Sequence, residues 1–71
     1  MFITIQNTIF NLARISFITI NQADKSVIEV RTCDDCDNYH VFHYDNEKAA
    51  VKALKEINQA IRVQQSLYGG N

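Results

Sequence analysis

The stretch that decides the fold is residues 15–32, ISFITINQADKSVIEVRT. Its first part, residues 15–21, is rich in the β-branched and aromatic residues that favour strands. Its last part, residues 26–32, alternates apolar Ile28 and Val30 with polar residues, as a strand with one buried face does. A short polar loop joins the two runs, and so short a loop connects antiparallel neighbours. The stretch therefore predicts a β-hairpin within an antiparallel sheet.

Two further strands are predicted on either side of this hairpin. Residues 1–5 (MFITI) and residues 39–44 (YHVFHY) have the composition of strands. Between the first two strands, residues 6–8 are typical of a turn, and residues 11–14 are typical of a short helical turn. Residues 9–10 are compatible with a continued ladder. Strands joined by short loops predict a meander, because parallel neighbours need long crossovers.

Residues 46–67 carry the pattern of one long amphipathic helix. Asn46 suits the N-cap, and Glu47 suits the positive end of the helix that follows. At 100° per residue, the apolar side chains fall on one face, and we expect Leu54 and Ile57 to lie at the centre of the contact with the sheet.

The predicted fold class is α+β. The chain is expected to form one domain over residues 1–71, a four-stranded antiparallel β-meander packed against one long C-terminal α-helix (ββββα). This order of elements is similar to that of a single-stranded DNA-binding fold of transcriptional coactivators. The resemblance concerns topology alone.

Charge and hydropathy exclude several classes of function. The 71 residues carry 7 Lys+Arg and 8 Asp+Glu, so the net charge of -1 creates no overall field that attracts DNA or anionic membranes. The sequence has no run of roughly 18 apolar residues that would span a membrane. Residues 1–7 lack the pattern of a secretory signal, so we expect a cytoplasmic protein with reduced thiols. Neither a Ser-His-acid set nor a glycine-rich phosphate loop is found, and we predict that the chain is not an enzyme.

One cluster has the chemistry of a zinc site, namely Cys33, Cys36, His40 and His43. Zinc accepts two cysteines and two histidines in a tetrahedron. The two histidines differ by an odd number of positions, so a regular strand points them to opposite faces. The more feasible version therefore uses Cys33, Cys36 and His40. A polar loop with incidental thiols and a redox dithiol are the alternatives, and the acidic residues within 34–37 disfavour the thiolates of the latter. We expect no cofactor, and zinc is the one metal that these side chains could bind.

Several strands are apolar on both faces. One helix covers only one face of a sheet, so the other face is predicted to be an exposed apolar patch of the kind that marks interfaces. We assign Ile18, Ile20, Tyr39 and Val41 to this interface and expect a homo-oligomer, a dimer in the simplest case. The alternative is that sheet curvature or residues 9–14 cover this face.

The solvent-facing side of the predicted helix carries a basic stripe of Lys48, Lys52, Lys55 and Arg62. Such a stripe can follow a phosphate backbone, while aromatic residues of the sheet stack on bases. It is also the ordinary solvated side of an amphipathic helix, and two glutamates interrupt it. Nucleic acid is therefore not the expected partner.

Three functions follow from these observations. The leading one is a non-enzymatic interaction or regulatory module that self-associates through its sheet. The alternatives are a single-stranded nucleic-acid-binding protein and a small zinc-binding domain.

Overall fold

Two antiparallel sheets and one C-terminal helix make up the structure, a computed structural model that describes residues 1–33 and 37–68. The elements in chain order are β1 (Phe2–Ile5), β2 (Thr8–Asn11), a short 3-10 helix (Leu12–Arg14), β3 (Ile15–Ile20), β4 (Val27–Cys33), β5 (Asp37–His43) and α1 (Glu47–Tyr68). Strands β1 and β2 form a two-stranded sheet, and β3, β4 and β5 form a three-stranded sheet in that order. The α+β class is confirmed.

The prediction of a single four-stranded meander is wrong, because residues 8–11 form an additional strand that pairs with β1. The turn between them depends on Gln6, whose φ of 52° is positive. A positive φ at the start of a two-residue loop is typical of hairpin turns and is usually supplied by glycine. Ile5 consequently faces Thr8 and the chain folds straight back on itself. The predicted strands at 1–5, 15–21, 26–32 and 39–44 and the helix at 46–67 lie within two residues of β1, β3, β4, β5 and α1.

The predicted helical turn after β2 is present. The side chain of Asn11 accepts a hydrogen bond from the backbone N–H of Ala13 at 3.0 Å, which caps the 3-10 helix. The backbone N–H of Leu12 donates to the carbonyl oxygen of Met1 at 2.9 Å and closes the β1–β2 hairpin. Asparagine thus performs here the capping that its short polar side chain favours.

A β-bulge near the start of β3 decides which face of the sheet Ile15 occupies. Ile15 is opposite Thr32 and Phe17 is opposite Arg31, so Ser16 is an extra residue in the ladder. Ile15 therefore shares a face with the even-numbered residues of β4, whereas Phe17 points to the other face.

The inner face of the three-stranded sheet is covered by two elements. Helix α1 contacts β1, β3 and β4. The β1–β2 hairpin covers β5, since the ring of Phe10 meets the rings of Phe42 and His40 edge-on, with centroids 5.9 and 5.0 Å apart. The buried core joins all three parts of the molecule and consists of Ile3, Ile5, Phe10, Ile28, Val30, Phe42, Ala50 and Ile57.

Helix α1 begins as its sequence predicts. The side-chain oxygen of Asn46 accepts from the backbone N–H of Ala49 at 2.8 Å, and Glu47 lies in the first turn. Ile57 is buried in the core, while Leu54 is half-buried at its edge. Within the described part of the chain, no helix is both long and apolar enough to cross a lipid bilayer.

Candidate interaction surface

The outer face of the three-stranded sheet is the side turned away from α1 and the β1–β2 hairpin. The register places the outward residues to which all three strands contribute in two rows that run across the sheet. The first row is Phe17, Arg31 and Tyr39, and the second is Thr19, Glu29 and Val41. We use "outer face" below for these six residues. Among the described residues, no strand or helix packs over them.

Three large apolar side chains of the outer face are open to solvent. Tyr39 is 55% exposed, Val41 is 49% exposed and Phe17 is 40% exposed. Their inward-facing neighbours on the central strand, Ile28 and Val30, are fully buried. Exposed apolar side chains grouped on one surface are typical of interaction sites, so this face is the candidate surface of the sheet.

Contacts within the first row hold these side chains in place. The guanidinium of Arg31 lies 5.0 Å from the centroid of the Tyr39 ring, and its Nη1 donates a 3.0 Å hydrogen bond to the Tyr39 hydroxyl. The Phe17 and Tyr39 rings meet edge to face at 6.3 Å. Side chains that are already ordered lose less conformational entropy when a partner binds.

The loop between β3 and β4 borders the outer face at one end. The side chain of Asn21 accepts from the backbone N–H groups of Ala23 and Asp24 at 2.8 Å. The carboxylate of Asp24 accepts from the hydroxyl of Ser26 at 2.6 Å and from its N–H at 3.0 Å. These two bonds, the hydroxyl first, lower the pKa of Asp24 below its ordinary value. Two backbone hydrogen bonds also join this loop to Val27, a buried residue.

The residues predicted for an interface lie on two different surfaces. Tyr39 and Val41 belong to the outer face. Ile18 and Ile20 are opposite Val30 and Ile28, half-buried against the core on the inner face. Ile18 also lines an apolar groove of about 490 Å³ between β3 and α1, together with residues that include Ile15, Leu54 and Ile61.

Sequence reasoning missed four residues of the outer face, Phe17, Thr19, Glu29 and Arg31. The alternation in β4 does place Glu29 and Arg31 together, and the register across the three strands then adds Phe17 and Thr19. That register follows from the β3–β4 hairpin, and the bulge at Ser16, for which the sequence carries no clear signal, turns only Ile15 to the other face.

The predicted zinc ligands that the structure describes do not converge. Cys33 faces outward near one end of the sheet, opposite Asp37. His43 lies six positions further along β5, which corresponds to about 20 Å. His40 turns inward against Phe10. No three His, Cys, Asp or Glu side chains within residues 1–33 and 37–68 are grouped so that they could hold a metal ion.

Cys36 lies outside the described residues, and the zinc hypothesis now depends on it. A site on Cys33 would need ligands other than the two histidines in their present positions. Elemental analysis of protein expressed with added zinc, with a melt in the presence of a chelator, tests this hypothesis. A bound zinc that raises the melting temperature would support it, and metal-free protein with an unchanged melt would contradict it.

The basic stripe Lys48, Lys52, Lys55 and Arg62 is exposed on α1. Because α1 covers the inner face of the sheet, these cations and the outer-face aromatic residues are separated by the thickness of the sheet and helix. One short single strand would not reach both at once. The structure therefore does not combine the two components of the predicted nucleic-acid site into one surface.

The β1–β2 hairpin presents a second, smaller apolar area. Phe2 and Ile9 are both largely exposed and occupy diagonal positions in the hairpin ladder. The side chain of Gln64 in α1 donates to the carbonyl oxygen of Phe2, and this bond ties the hairpin to the helix.

Comparisons of the chain with protein-family models, with curated proteins and with solved structures found no match.

Proposed function

We propose that this chain is a non-enzymatic interaction module that forms a homodimer through the outer face. The observation that carries the proposal is the set of exposed apolar side chains Phe17, Tyr39 and Val41 on a sheet whose other face is covered by α1 and the hairpin. Two such sheets pack about 10 Å apart with their side chains interdigitated, and this arrangement would bury all three side chains in each copy.

The size of the outer face sets the expected strength of the dimer. Three strands about 4.8 Å apart, of which β3 is 6 residues long, make a face of about 14 by 20 Å. Two faces of this size bury less than the roughly 1,200 Å² that a stable specific interface requires. We therefore expect a weak dimer, whose population rises with protein concentration.

The charge of the outer face fits a second copy better than a polyanion. It carries one acidic and one basic side chain, Glu29 and Arg31, so its net charge is near zero. The guanidinium of Arg31 already occupies a position over the Tyr39 ring. A base that stacked on this ring would have to displace it.

Sedimentation velocity across about a hundredfold range of concentration tests the proposal. The wild type should shift from 8.2 kDa towards twice that mass. Val41→Lys should stay monomeric, because it places a charge within the apolar contact. Val63→Lys is the matched control, since Val63 on α1 is 46% exposed against 49% for Val41. It should dimerise like the wild type.

Two results would contradict the proposal. One is a monodisperse 8.2 kDa wild type at the highest concentration. The other is equal behaviour of the Val41 and Val63 variants. Circular dichroism of each variant at low concentration shows whether it is folded, so that loss of the dimer is not confused with loss of the fold.

A single-stranded nucleic-acid binder is the second candidate, and one observation favours it. Two aromatic rings and a guanidinium, those of Phe17, Tyr39 and Arg31, lie side by side on an open sheet face, as in proteins that stack bases. Fluorescence anisotropy with a labelled single-stranded oligonucleotide tests it. Salt-sensitive binding that Tyr39→Ala abolishes would support this function. No binding at low salt would end it.

A further inference from the structure

We propose that the dimer has a defined geometry. Its two-fold axis lies in the plane of the interface, runs at right angles to the strands and crosses β4 between Glu29 and Arg31. Glu29 of each copy then pairs with the partner's Arg31. This inference rests on the proposed self-association and adds its register, which a contact between apolar surfaces alone does not determine.

The arrangement of charge on the central strand is the first observation. Glu29 and Arg31 both lie on the outer face of β4, two positions or about 7 Å apart. They are the acidic and the basic member of the outer face, one in each row. Opposite charges at equal distances from a point on the central strand form a self-complementary pattern.

The same axis also determines which residues of the two rows would meet. Rotation about an axis across the strands exchanges one row with the other while each strand stays opposite its own copy. Tyr39 then meets the partner's Val41, and Phe17 meets the partner's Thr19. Apolar surface is thus placed on apolar surface along β5, and opposite charges meet along β4.

The other axis in the plane of the interface is disfavoured. An axis parallel to β4 would place Glu29 opposite the partner's Glu29 and Arg31 opposite the partner's Arg31. Like charges that face each other in a partly desolvated contact repel strongly. The charges therefore discriminate between two arrangements that would bury similar apolar area.

The contact of Arg31 with Tyr39 is compatible with this pairing. A guanidinium carries five N–H donors, so contacts of Arg31 within its own chain, the one to the Tyr39 hydroxyl among them, do not exclude donation to the partner's Glu29. The attraction of an interfacial ion pair roughly offsets its desolvation. We therefore expect the ion pairs to set the register of the dimer, and the apolar contacts to supply most of its affinity.

Charge reversal tests the proposed pairing. Glu29→Arg and Arg31→Glu should each weaken dimerisation about tenfold or more, because each puts like charges opposite one another twice. The double variant Glu29→Arg/Arg31→Glu should dimerise within about threefold of the wild type, since the pairs are restored with their polarity exchanged. Glu56→Arg and Arg62→Glu make the same changes in net charge at exposed helix positions and should leave dimerisation unchanged.

A mixture of the two single variants gives a second readout. One variant carries two positive charges on β4 and the other carries two negative charges, so equal amounts should form a heterodimer more readily than either variant forms a homodimer. Sedimentation of a mixture of one tagged and one untagged variant detects the heterodimer. Melts at low concentration show that each variant is folded.

The outcomes separate this inference from the function on which it rests. A wild type that remains monomeric would overturn both. A dimeric wild type whose single variants dimerise equally well would overturn the pairing alone. Loss of dimerisation in the single variants that neither the double substitution nor mixing restores would also overturn the pairing alone. Loss in each single variant, with recovery in both tests, would support the proposed axis.

Discussion

The two faces of the three-stranded sheet are built from alternate residues of the same strands, yet their environments differ. On the inner face, Ile28 and Val30 of β4 are fully buried beneath α1 and the hairpin. On the outer face, Tyr39 and Val41 remain about half exposed. The difference shows that covering elements, more than the apolar character of a strand, decide which of its residues become core. The residues left uncovered are the ones we propose to bind a second copy.

The largest effect should come from the inner face. Ile28→Ala removes buried methyl and methylene groups from the core and should lower the free energy of unfolding by about 2–5 kcal/mol. Val41→Ala on the outer face is the control and should cost the monomer less than about 1 kcal/mol. Denaturant titration at low concentration measures both. Equal losses would mean that the two faces do not differ in burial.

A comparison within the helix sharpens this contrast. Ile57 is buried in the core, whereas Leu54 is half-buried beside the groove between α1 and β3. Ile57→Ala should cost about 2–5 kcal/mol, and Leu54→Ala about half as much. Denaturant midpoints compare the two variants directly. The opposite order would show that the helix is rotated relative to the sheet.

Much of the fold could be predicted from residues 15–32 and from the helix. The alternation of Ile28 and Val30 with Glu29 and Arg31 identifies the inner side of β4, and the 3.6-residue period identifies the apolar side of α1. The turn at residues 6–8 could be predicted, but strand β2 was not, because only residues 9–10 suggested a continued ladder and the positive φ of the turn falls on Gln6. Glutamine gives none of the sequence signals of such a turn.

The candidate surface was harder to predict than the fold. Strict alternation from Phe17 would put Ile15 on the same face, but the bulge at Ser16 turns Ile15 to the core. Ile18 and Ile20 pack against the core on the inner face of the sheet. The pattern of β3 alone does not indicate which of its two faces is the inner one. Only the register of three strands, which is a long-range property, brings Phe17, Arg31 and Tyr39 into one row.

On the outer face, Tyr39→Ala should separate association from stability. The substitution removes the cation–π contact with Arg31 and the edge contact with Phe17, each worth about 1 kcal/mol or less at an exposed site. The monomer should lose little stability, while dimerisation should be lost. Tyr39→Phe keeps the ring and removes the hydroxyl, so it should retain most of the dimer. A Tyr39→Ala protein that dimerises like the wild type would contradict the role of this residue.

The smallest effect is expected at the loop that borders the outer face. Hydrogen bonds from Ser26 lower the pKa of Asp24 in the folded state below its ordinary value of 3.8. Because the folded pKa is depressed, the stability that these bonds contribute is present above 3.8 and is lost as the pH falls through the folded value. The wild type should therefore melt slightly above Asp24→Ala at about pH 6, and the difference should shrink as the pH falls below 3.8. A difference that does not change with pH would contradict this assignment.

The measurement that tests the central claim most directly is a dilution series of amide nuclear magnetic resonance spectra. If the outer face binds a second copy, resonances of Arg31, Tyr39 and Val41 should shift with concentration along one binding curve. Those of the β1–β2 hairpin should stay constant. Shifts concentrated at Ile18, Leu54 and Ile61 would place self-association in the groove between β3 and α1. That result, or spectra that do not change over about a hundredfold dilution, would contradict the account.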